Sequence, residues 1–417
     1  MRVLTVKNFS CIKSASLELE RVTLIIGPQA SGKSLLSKLA FFLMDCLHGQ
    51  YASLSRRESF EKFSAGVKNR FLEWFPTQAW GDEKFHIELV AGDYSVSLTR
   101  KSWKSQQKDD FRLKFSPEFK QQYETLLADI VKVALRSDED TLSSSIDHDW
   151  RFRETFDKAM ESLLGKDAIA FQAFIPAGRS FFTSIGKAIA AFEQGRVLDP
   201  LILRFGRMFT AYKSRPLRLS TKTPDLRATQ AIFRVLLGGQ LKTDGDLEFV
   251  EMEDGRRVPL SAMSSGQQEV LPLVTVLPWL FSGKSAKLCY IEEPEAHLFP
   301  VSQGKLVEAL VIAANAGPTN LVMTTHSPYV VTKLNNLLKA GAVAKKLDEA
   351  GRKRLDQLLT RRAWLPAKGV RAYALDDGVL HSILDEDGLI NGEYLDSASN
   401  VLSDEFSALL DLEDKNA

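Results

Sequence analysis

The sequence predicts an α/β fold with a mixed β-sheet, and three observations carry that expectation. The continuous apolar run Val22-Thr-Leu-Ile-Ile26 reads as a strand buried on both faces, as strands in a parallel sheet are. A glycine-bearing loop follows at once, Gly27-Pro28-Gln29-Ala30-Ser31-Gly32-Lys33-Ser34, and then helical spacing from Leu35 to Leu47. A second short apolar strand, Leu288-Cys-Tyr-Ile291, ends in the adjacent carboxylates Glu292 and Glu293, at the strand end where parallel sheets usually bind their ligands.

Composition bounds the rest. The 417 residues hold 54 Lys plus Arg against 53 Asp plus Glu, a formal charge of +1, which excludes a histone-like basic protein or one dominated by an acidic tail. With 44% hydrophobic and 26% charged residues, the chain can bury a sizeable core. Cys11, Cys46 and Cys289 lie far apart with no C-x-x-C pair, so a reducing compartment is expected and neither a disulfide framework nor a zinc finger is. The N-terminus alternates like a strand and lacks a signal-peptide pattern, so a cytoplasmic location is expected. The longest apolar stretch, Val270 to Phe281, contains Pro272 and Pro278 and falls short of the roughly 20 residues that span a bilayer, so no membrane partner is expected.

Taken in order, the opening residues read as two strands, Met1 to Phe9 and Ala15 to Ile26. Phe85 to Arg100 forms a hairpin around Ala91-Gly92-Asp93. Pro117 to Lys166 reads as an inserted helical pair, interrupted by the acidic and serine-rich loop Ser137 to Asp149. Ile185 to Leu237 is helical and stops at Gly238-Gly239, before a hairpin of Leu247 to Met252 and Arg257 to Leu260 that turns at Asp254-Gly255. Beyond Thr332 the chain is helical, then strand-like around Val370 to Leu375, and helical again from Ser403 to Leu412. This suggests four regions: a lobe over 1–100, a helical insertion over 101–166, a second lobe over 167–335, and a C-terminal helical and strand extension over 336–417.

The loop Gly27-x4-Gly32-Lys33-Ser34 is the Walker A pattern in its strand-to-helix setting. Its glycines let successive backbone N–H groups face phosphates, and the following helix presents its positive end. Lys33 would reach the terminal phosphates and Ser34 would hold Mg²⁺. At the second strand, Glu292 suits the metal shell and Glu293 a general base. Asp is usual at the metal position, and the extra methylene of Glu292 leaves direct and water-mediated contact both open. Met263-Ser264-Ser265-Gly266-Gln267 precedes an apolar helix and, taken alone, is a capping box. Leu321-Val-Met-Thr-Thr-His326 is a strand that ends in an imidazole, which alone would read as a structural histidine.

Taken together and in this order, the motifs resemble those of the ABC-type ATPases. Met263 to Gln267 matches the signature Leu-Ser-Gly-Gly-Gln with Ser265 in place of the first glycine. The resemblance implies an ABC-type head with a mixed sheet, an antiparallel subdomain and helical insertions. It makes His326 a switch histidine and places Glu295 to Pro300, with His297, at the D-loop. Phe171 to Ser180 falls at the Q-loop position, making Gln172 and Arg179 candidates for sensing a γ-phosphate. Asn8-Phe9, the Ser-Ser-Gly-Gln form of the signature and Glu-Glu-Pro-Glu-Ala-His are similar to the RecF and OLD-like branch. Within it, they resemble the ATPase subunits of anti-phage systems such as Septu, PARIS and retron-associated OLD-like proteins. The likeness is weaker at Tyr394-Leu-Asp-Ser-Ala-Ser and Glu405-Phe.

The resemblance implies ATP and Mg²⁺ as cofactors and a head-to-tail homodimer or higher homo-oligomer. In that arrangement Ser264, Ser265, Gly266 and Gln267 of a second copy would close on nucleotide held by residues 27–34. It also implies a separately encoded effector, a nuclease or toxin, with DNA or a phage protein as trigger. OLD-type nucleases add a Toprim module, for which residues 327–417 are too few. Asp376-Asp377 and Asp385-Glu-Asp387 read as solvated turns. Two basic stretches, Arg204, Arg207, Lys213, Arg215 and Arg218, and then Lys345, Lys346, Arg352, Lys353, Arg354, Arg361 and Arg362, read either as solvated helix faces or as a DNA-facing surface. Two rival functions follow, an autonomous RecF-like DNA-binding ATPase and an ATP-bound scaffold with little turnover.

Overall fold

The computed structural model describes residues 1–100, 111–136, 156, 160, 164–185, 198–214, 223–244, 247–281, 285–392 and 403–409. Its strands are β1 (Arg2–Phe9), β2 (Ile12–Glu18), β3 (Val22–Ile26), β4 (His86–Ala91), β5 (Tyr94–Thr99), β6 (Arg112–Phe115) and β7 (Phe171–Ile175). They continue with β8 (Gly239–Asp244), β9 (Leu247–Met252), β10 (Arg257–Pro259), β11 (Lys287–Glu292), β12 (Thr319–Thr325), β13 (Val370–Asp376) and β14 (Val379–Ser382). Eleven strands form one mixed sheet in the order β6-β5-β4-β1-β2-β14-β13-β3-β12-β11-β7, and β10-β9-β8 form a small antiparallel sheet.

The expected strand Ala15 to Ile26 is two strands. β2 pairs antiparallel with β1, whereas β3 lies in the parallel core between β12 and β13. The hydroxyl of Thr23 makes the turn between them, accepting from the Glu20 amide at 3.0 Å and donating to the Glu18 carbonyl at 3.3 Å. With only Glu20 and Arg21 between Leu19 and Val22, the sequence does not reveal a turn closed by a side chain. Every residue of β3 is buried, as the continuous apolar run requires, while β1 and β5 alternate because their outer face is partly wet.

The hairpin around Gly92 is β4 and β5, and β6 extends it into a meander. β6 lies inside the region expected to be purely helical; four residues are too short a run for periodicity to register. The helix Pro117–Arg136 follows it and brings Phe119 onto Phe115, with ring centroids 4.8 Å apart, and Tyr123 onto Phe63 at 5.0 Å. The Ser137 to Asp149 loop lies outside the described residues. In the next helical region, Pro200–Ser214 and Pro224–Leu237 are helices, and the second ends on Gly238 in the left-handed conformation, φ 69°. β8 adds a third strand to the expected hairpin.

The largest departure concerns the C-terminal region. β13 pairs with β3 in parallel register, Val370 with Val22 through Ala374 with Ile26, so 336–417 is no appendage to the sheet. Its short apolar run gives no sign of which neighbour it takes. Of the expected terminal helix, residues 403–409 are helical and 410–412 lie outside the described residues. No helix among the described residues is long and apolar enough to cross a membrane.

Two apolar clusters cover the two faces of the sheet. One gathers Leu36, Phe41, Phe42 and Leu43 of the helix Lys33–His48 with the meander; the other gathers Val270 and Leu273 with Leu310 and Leu334 of the helices Pro300–Asn315 and Pro328–Ala344. Arg204 is drawn to Asp45 at 3.0 Å, Lys213 to Glu248, and Arg362 to Asp225 at 3.0 Å, while Arg215 and Arg218 lie outside the described residues.

His48 closes the helix Lys33–His48. Its ring Nε2 is buried and unpartnered. A helix C-terminus favours a protonated imidazole. Burial outweighs this and, helped by the Arg2 charge, pushes the pKa down to about 4 from 6.5. The folded protein therefore holds His48 neutral while the unfolded chain protonates it. That stabilisation is complete above about pH 6.5 and is lost as the pH falls toward 4, by about 2 kcal/mol at pH 5. His48→Gln is expected to flatten this part of the acid limb in thermal unfolding measured from pH 7.5 to 4.5.

Candidate functional site

The site is built on the carboxyl ends of β3, β11 and β12. After Ile26 the chain turns through Gly27 (φ 155°), Ala30 (φ 62°) and Gly32 (φ 103°) into the helix that starts at Lys33. A Cβ on Gly27 would lie 2.4 Å from the Leu375 carbonyl oxygen, and one on Gly32 would lie 2.7 Å from Cys11 Sγ. The helix has no side-chain cap and no acid in its first turn, so its leading N–H groups and dipole are free to meet an anion. Ser31 Oγ is buried without a partner, and Lys33 Nζ donates to the carbonyls of Gly27 (2.9 Å) and Pro28 (2.7 Å). Burial lowers the Lys33 pKa, opposed by the carboxylates of Glu293, Glu295 and Glu292. Bare amides, an unsatisfied hydroxyl and a nearby ammonium fit a polyphosphate.

β11 and β12 run parallel with Glu292 beside Thr324, so the two strands end together. The carboxylate of Glu292 is hydrogen-bonded by the Ser34 side chain and accepts from the Ala177 amide at 3.3 Å. Burial raises its pKa, against those hydrogen bonds. A hydroxyl and a half-buried carboxylate side by side are hard oxygen donors of the kind Mg²⁺ prefers. Glu293 sits at φ 41° and its amide donates to the Thr324 carbonyl at 3.0 Å. Its Oε1 lies 3.1 Å from His326 Nε2. The buried carboxylate of Glu295, expected only as the start of the D-loop, accepts from the His326 amide at 3.0 Å and from the Thr325 hydroxyl, fixing the end of β12.

Ser264 caps the helix Ser265–Val276 and forms the full capping box with Gln267. Gln267 Nε2 also donates to the Leu237 carbonyl at 2.7 Å. Ser264 and Ser265 are exposed, and a Cβ on Gly266 would lie 2.7 Å from the His297 carbonyl oxygen. The start of this helix therefore rests on the turn after β11. Among the described residues no hydrogen bond joins 264–267 to 27–34.

The structure brings together Lys33, Ser34, Glu292, Glu293 and His326, but not Gln172. That residue pairs with Leu288 on β7, roughly 13 Å of strand below the level of Glu292. Arg179 does reach the site, in a different capacity from phosphate sensing. It is fully buried, and its N–H groups go to the carbonyls of Glu269 (3.1 Å), Pro176 (3.2 Å), Glu292 (2.7 Å), Glu293 (3.1 Å) and Pro294 (3.4 Å). These take up the five donors of a guanidinium, leaving none for a phosphate. Glu269, its ion-pair partner at 3.4 Å, is equally buried. The only signal that could have pointed to this pair is an acid set directly before the apolar run Val270-Leu-Pro-Leu, and the motifs did not use it.

A family model described as "AAA domain, putative AbiEii toxin, Type IV TA system" matches residues 22–332. Among solved structures, the chain is similar to the SMC head domain from Thermotoga maritima, at 12% identity over 92% of this chain and 98% of that one, with a TM-score of 0.39. It is also similar to the Smc head domain with an extended coiled coil bound to the C-terminal domain of ScpA derived from Pyrococcus furiosus, at 13% identity over 97% and 99% of the two chains, with a TM-score of 0.41. No curated protein matches the chain significantly.

Gly32→Ala forces a methyl group into a left-handed backbone and against Cys11. It is expected to cost about 1–3 kcal/mol of stability and to weaken ATP binding by at least about tenfold, measured by thermal unfolding and titration calorimetry. Adding Cys11→Ala relieves the contact but not the backbone strain, so recovery is expected to be partial.

Proposed function

The chain belongs to the P-loop ATPase family described as "AAA domain, putative AbiEii toxin, Type IV TA system", and on that premise we propose that it hydrolyses MgATP between two copies of itself. The observation that carries this reading is the convergence of Lys33, Ser34, Glu292, Glu293 and His326 at the ends of three neighbouring parallel strands.

In this reading the amides of Gly27 to Ser34 hold the phosphates and Lys33 exchanges its two carbonyl partners for phosphate oxygens. Ser34 and Glu292 would hold the metal, whose charge would offset the phosphate oxygens. Bound MgATP supplies the phosphoanhydride to be cleaved. Glu293 takes the proton of the attacking water, while His326 steadies its carboxylate. The helix start at Ser264 to Gln267, where Ser264 and Ser265 are exposed and Ser264 already caps the Gln267 amide, would form a second anion-binding end on the same molecule. With no bond to its own loop, it is suited to close on nucleotide held by another copy, so ATP would join the subunits and hydrolysis would part them.

The finer role we propose is that this assembly holds or releases a separately encoded nuclease or toxin in anti-phage defence, in the cytoplasm. It is supported by the motif resemblance to defence ATPases and by the toxin system named in the family description. A RecF-like DNA-binding role is less favoured, since Arg204, Lys213, Arg361 and Arg362 each face a carboxylate.

Glu293→Gln is expected to cut turnover by at least about 10²-fold while preserving an ATP-dependent dimer in size-exclusion chromatography with light scattering. Lys33→Ala is expected to abolish both dimer and turnover. Multiple turnover by Glu293→Gln at the parent rate would show that another group is the base. Native mass of the chain purified in MgATP with its chromosomal neighbours tests the defence role: a stoichiometric second protein supports it, and a pure homo-oligomer with DNA-stimulated turnover replaces it.

A further inference from the structure

We propose that Arg179 and Glu269 are a positioning pair that sets the aim of Glu293 and ties it to the signature helix, an inference that rests on the ATPase reading above. Among the described residues no hydrogen bond or ion pair joins either residue to the phosphate loop. Both are 0% exposed, so the pair forgoes hydration on both sides, and an apolar pair of similar volume would fill the same space. What the pair supplies that an apolar pair cannot is direction. The Arg179 fork binds the carbonyls of three consecutive residues, Glu292, Glu293 and Pro294. Those carbonyls belong to the segment in which Glu293 adopts φ 41°, a conformation unfavourable for a residue with a Cβ and kept only where the surroundings over-determine it.

The other half of the pair holds Arg179 itself. The Glu269 carboxylate accepts from the amides of Arg179 (2.9 Å) and Ser180 (3.0 Å), and its carbonyl accepts from Arg179 Nε. Glu269 lies one helical turn beyond Gly266, which sits so close to the turn after β11 that an added Cβ would meet the His297 carbonyl oxygen at 2.7 Å. A force applied to the exposed Ser264 to Gln267 end therefore reaches Glu293 by two short routes. One runs through Gly266 and the turn after β11, the other through Glu269 and Arg179. Closure of a second copy on the signature helix would in this way be felt at the general base of the same chain, in addition to the nucleotide it covers.

Arg179→Lys in the full chain tests this. A lysine keeps its charge beside Glu269, but a compact ammonium cannot span three successive carbonyls. The expected result is that kcat falls about 10²-fold with KM little changed, because a displacement of about 1 Å at the base is enough for that. ATPγS binding, titrated in parallel, should keep one nucleotide per chain at an affinity within about threefold of the parent. A purely structural role would instead lower the number of binding sites in step with kcat, and that result overturns the proposal, as does parental kcat in folded Arg179→Lys. Should Arg179→Lys fail to fold, Glu269→Gln gives the same reading, with a fall of about tenfold in kcat at full binding stoichiometry expected and an unchanged kcat overturning it. A parent chain that binds no ATPγS and shows no Lys33-dependent turnover refutes the ATPase reading. Parental turnover that survives both substitutions refutes only the positioning pair.

Discussion

Everything at the site depends on β3 being paired on both sides by parallel neighbours. With β12 aligned from Leu321 to Thr325 and β13 from Val370 to Ala374, the backbone groups of Val22 to Ile26 are satisfied within the sheet and its side chains are dry. A strand held this way can yield to new demands only where it ends. That end is where Gly27 begins the loop, and where β11 and β12 deliver their carboxylates and imidazole. The rigid part of the fold thus presents a row of strand ends at one edge, with the groups that would have to move confined to the loops leaving it.

The same low-dielectric edge pulls its charged groups in opposite directions. Burial disfavours the ammonium of Lys33 and the carboxylate of Glu292 alike, and each charge is retained because opposite charges or hydrogen bonds stand close to it. The Arg179 charge is matched first by Glu269, and it shares with Lys33 the field of Glu292, Glu293 and Glu295. The cluster carries an excess of negative charge that a divalent cation beside Ser34 and Glu292 would offset. Phosphates without a metal would meet repulsion from those acids, which is a physical reason for the pair of cofactors to bind together.

The parts of this arrangement legible in sequence were those with a fixed local grammar. Gly27 to Ser34, Glu292-Glu293 and His326 each sit at a strand end that short-range pattern can locate, and the structure brings them together. The Q-loop residues were harder because their meaning depends on depth and direction. Gln172 is a few residues too early on β7, and Arg179 points into the protein, where carbonyls and not phosphates occupy it. Neither fact has a signature in residue spacing. The division of Ala15 to Ile26 was hidden for a related reason, since the turn occupies only Leu19 to Arg21 and is closed by a single hydroxyl, that of Thr23. The anchoring roles of Glu295, within the D-loop stretch, and of Glu269 were not legible because buried acids read as surface acids until the packing around them is known.

The place of β13 has a further consequence for how the protein is made. A nascent chain completes the phosphate loop within its first few dozen residues, yet the strand that flanks β3 on one side, and whose Leu375 carbonyl packs against Gly27, is synthesised last among the sheet strands save β14. At about 5–20 residues per second the interval is about 20–70 s; until β12 is made both edges of β3 lack a native partner, and one still does until β13 arrives. Throughout that time the most apolar strand of the protein is an open sheet edge, able to pair with any other extended segment that reaches it. Assembly of a competent phosphate loop is therefore coupled to the arrival of the distal part of the polypeptide, and a ribosome that stalls before residue 370 releases a chain whose loop lacks its final buttress.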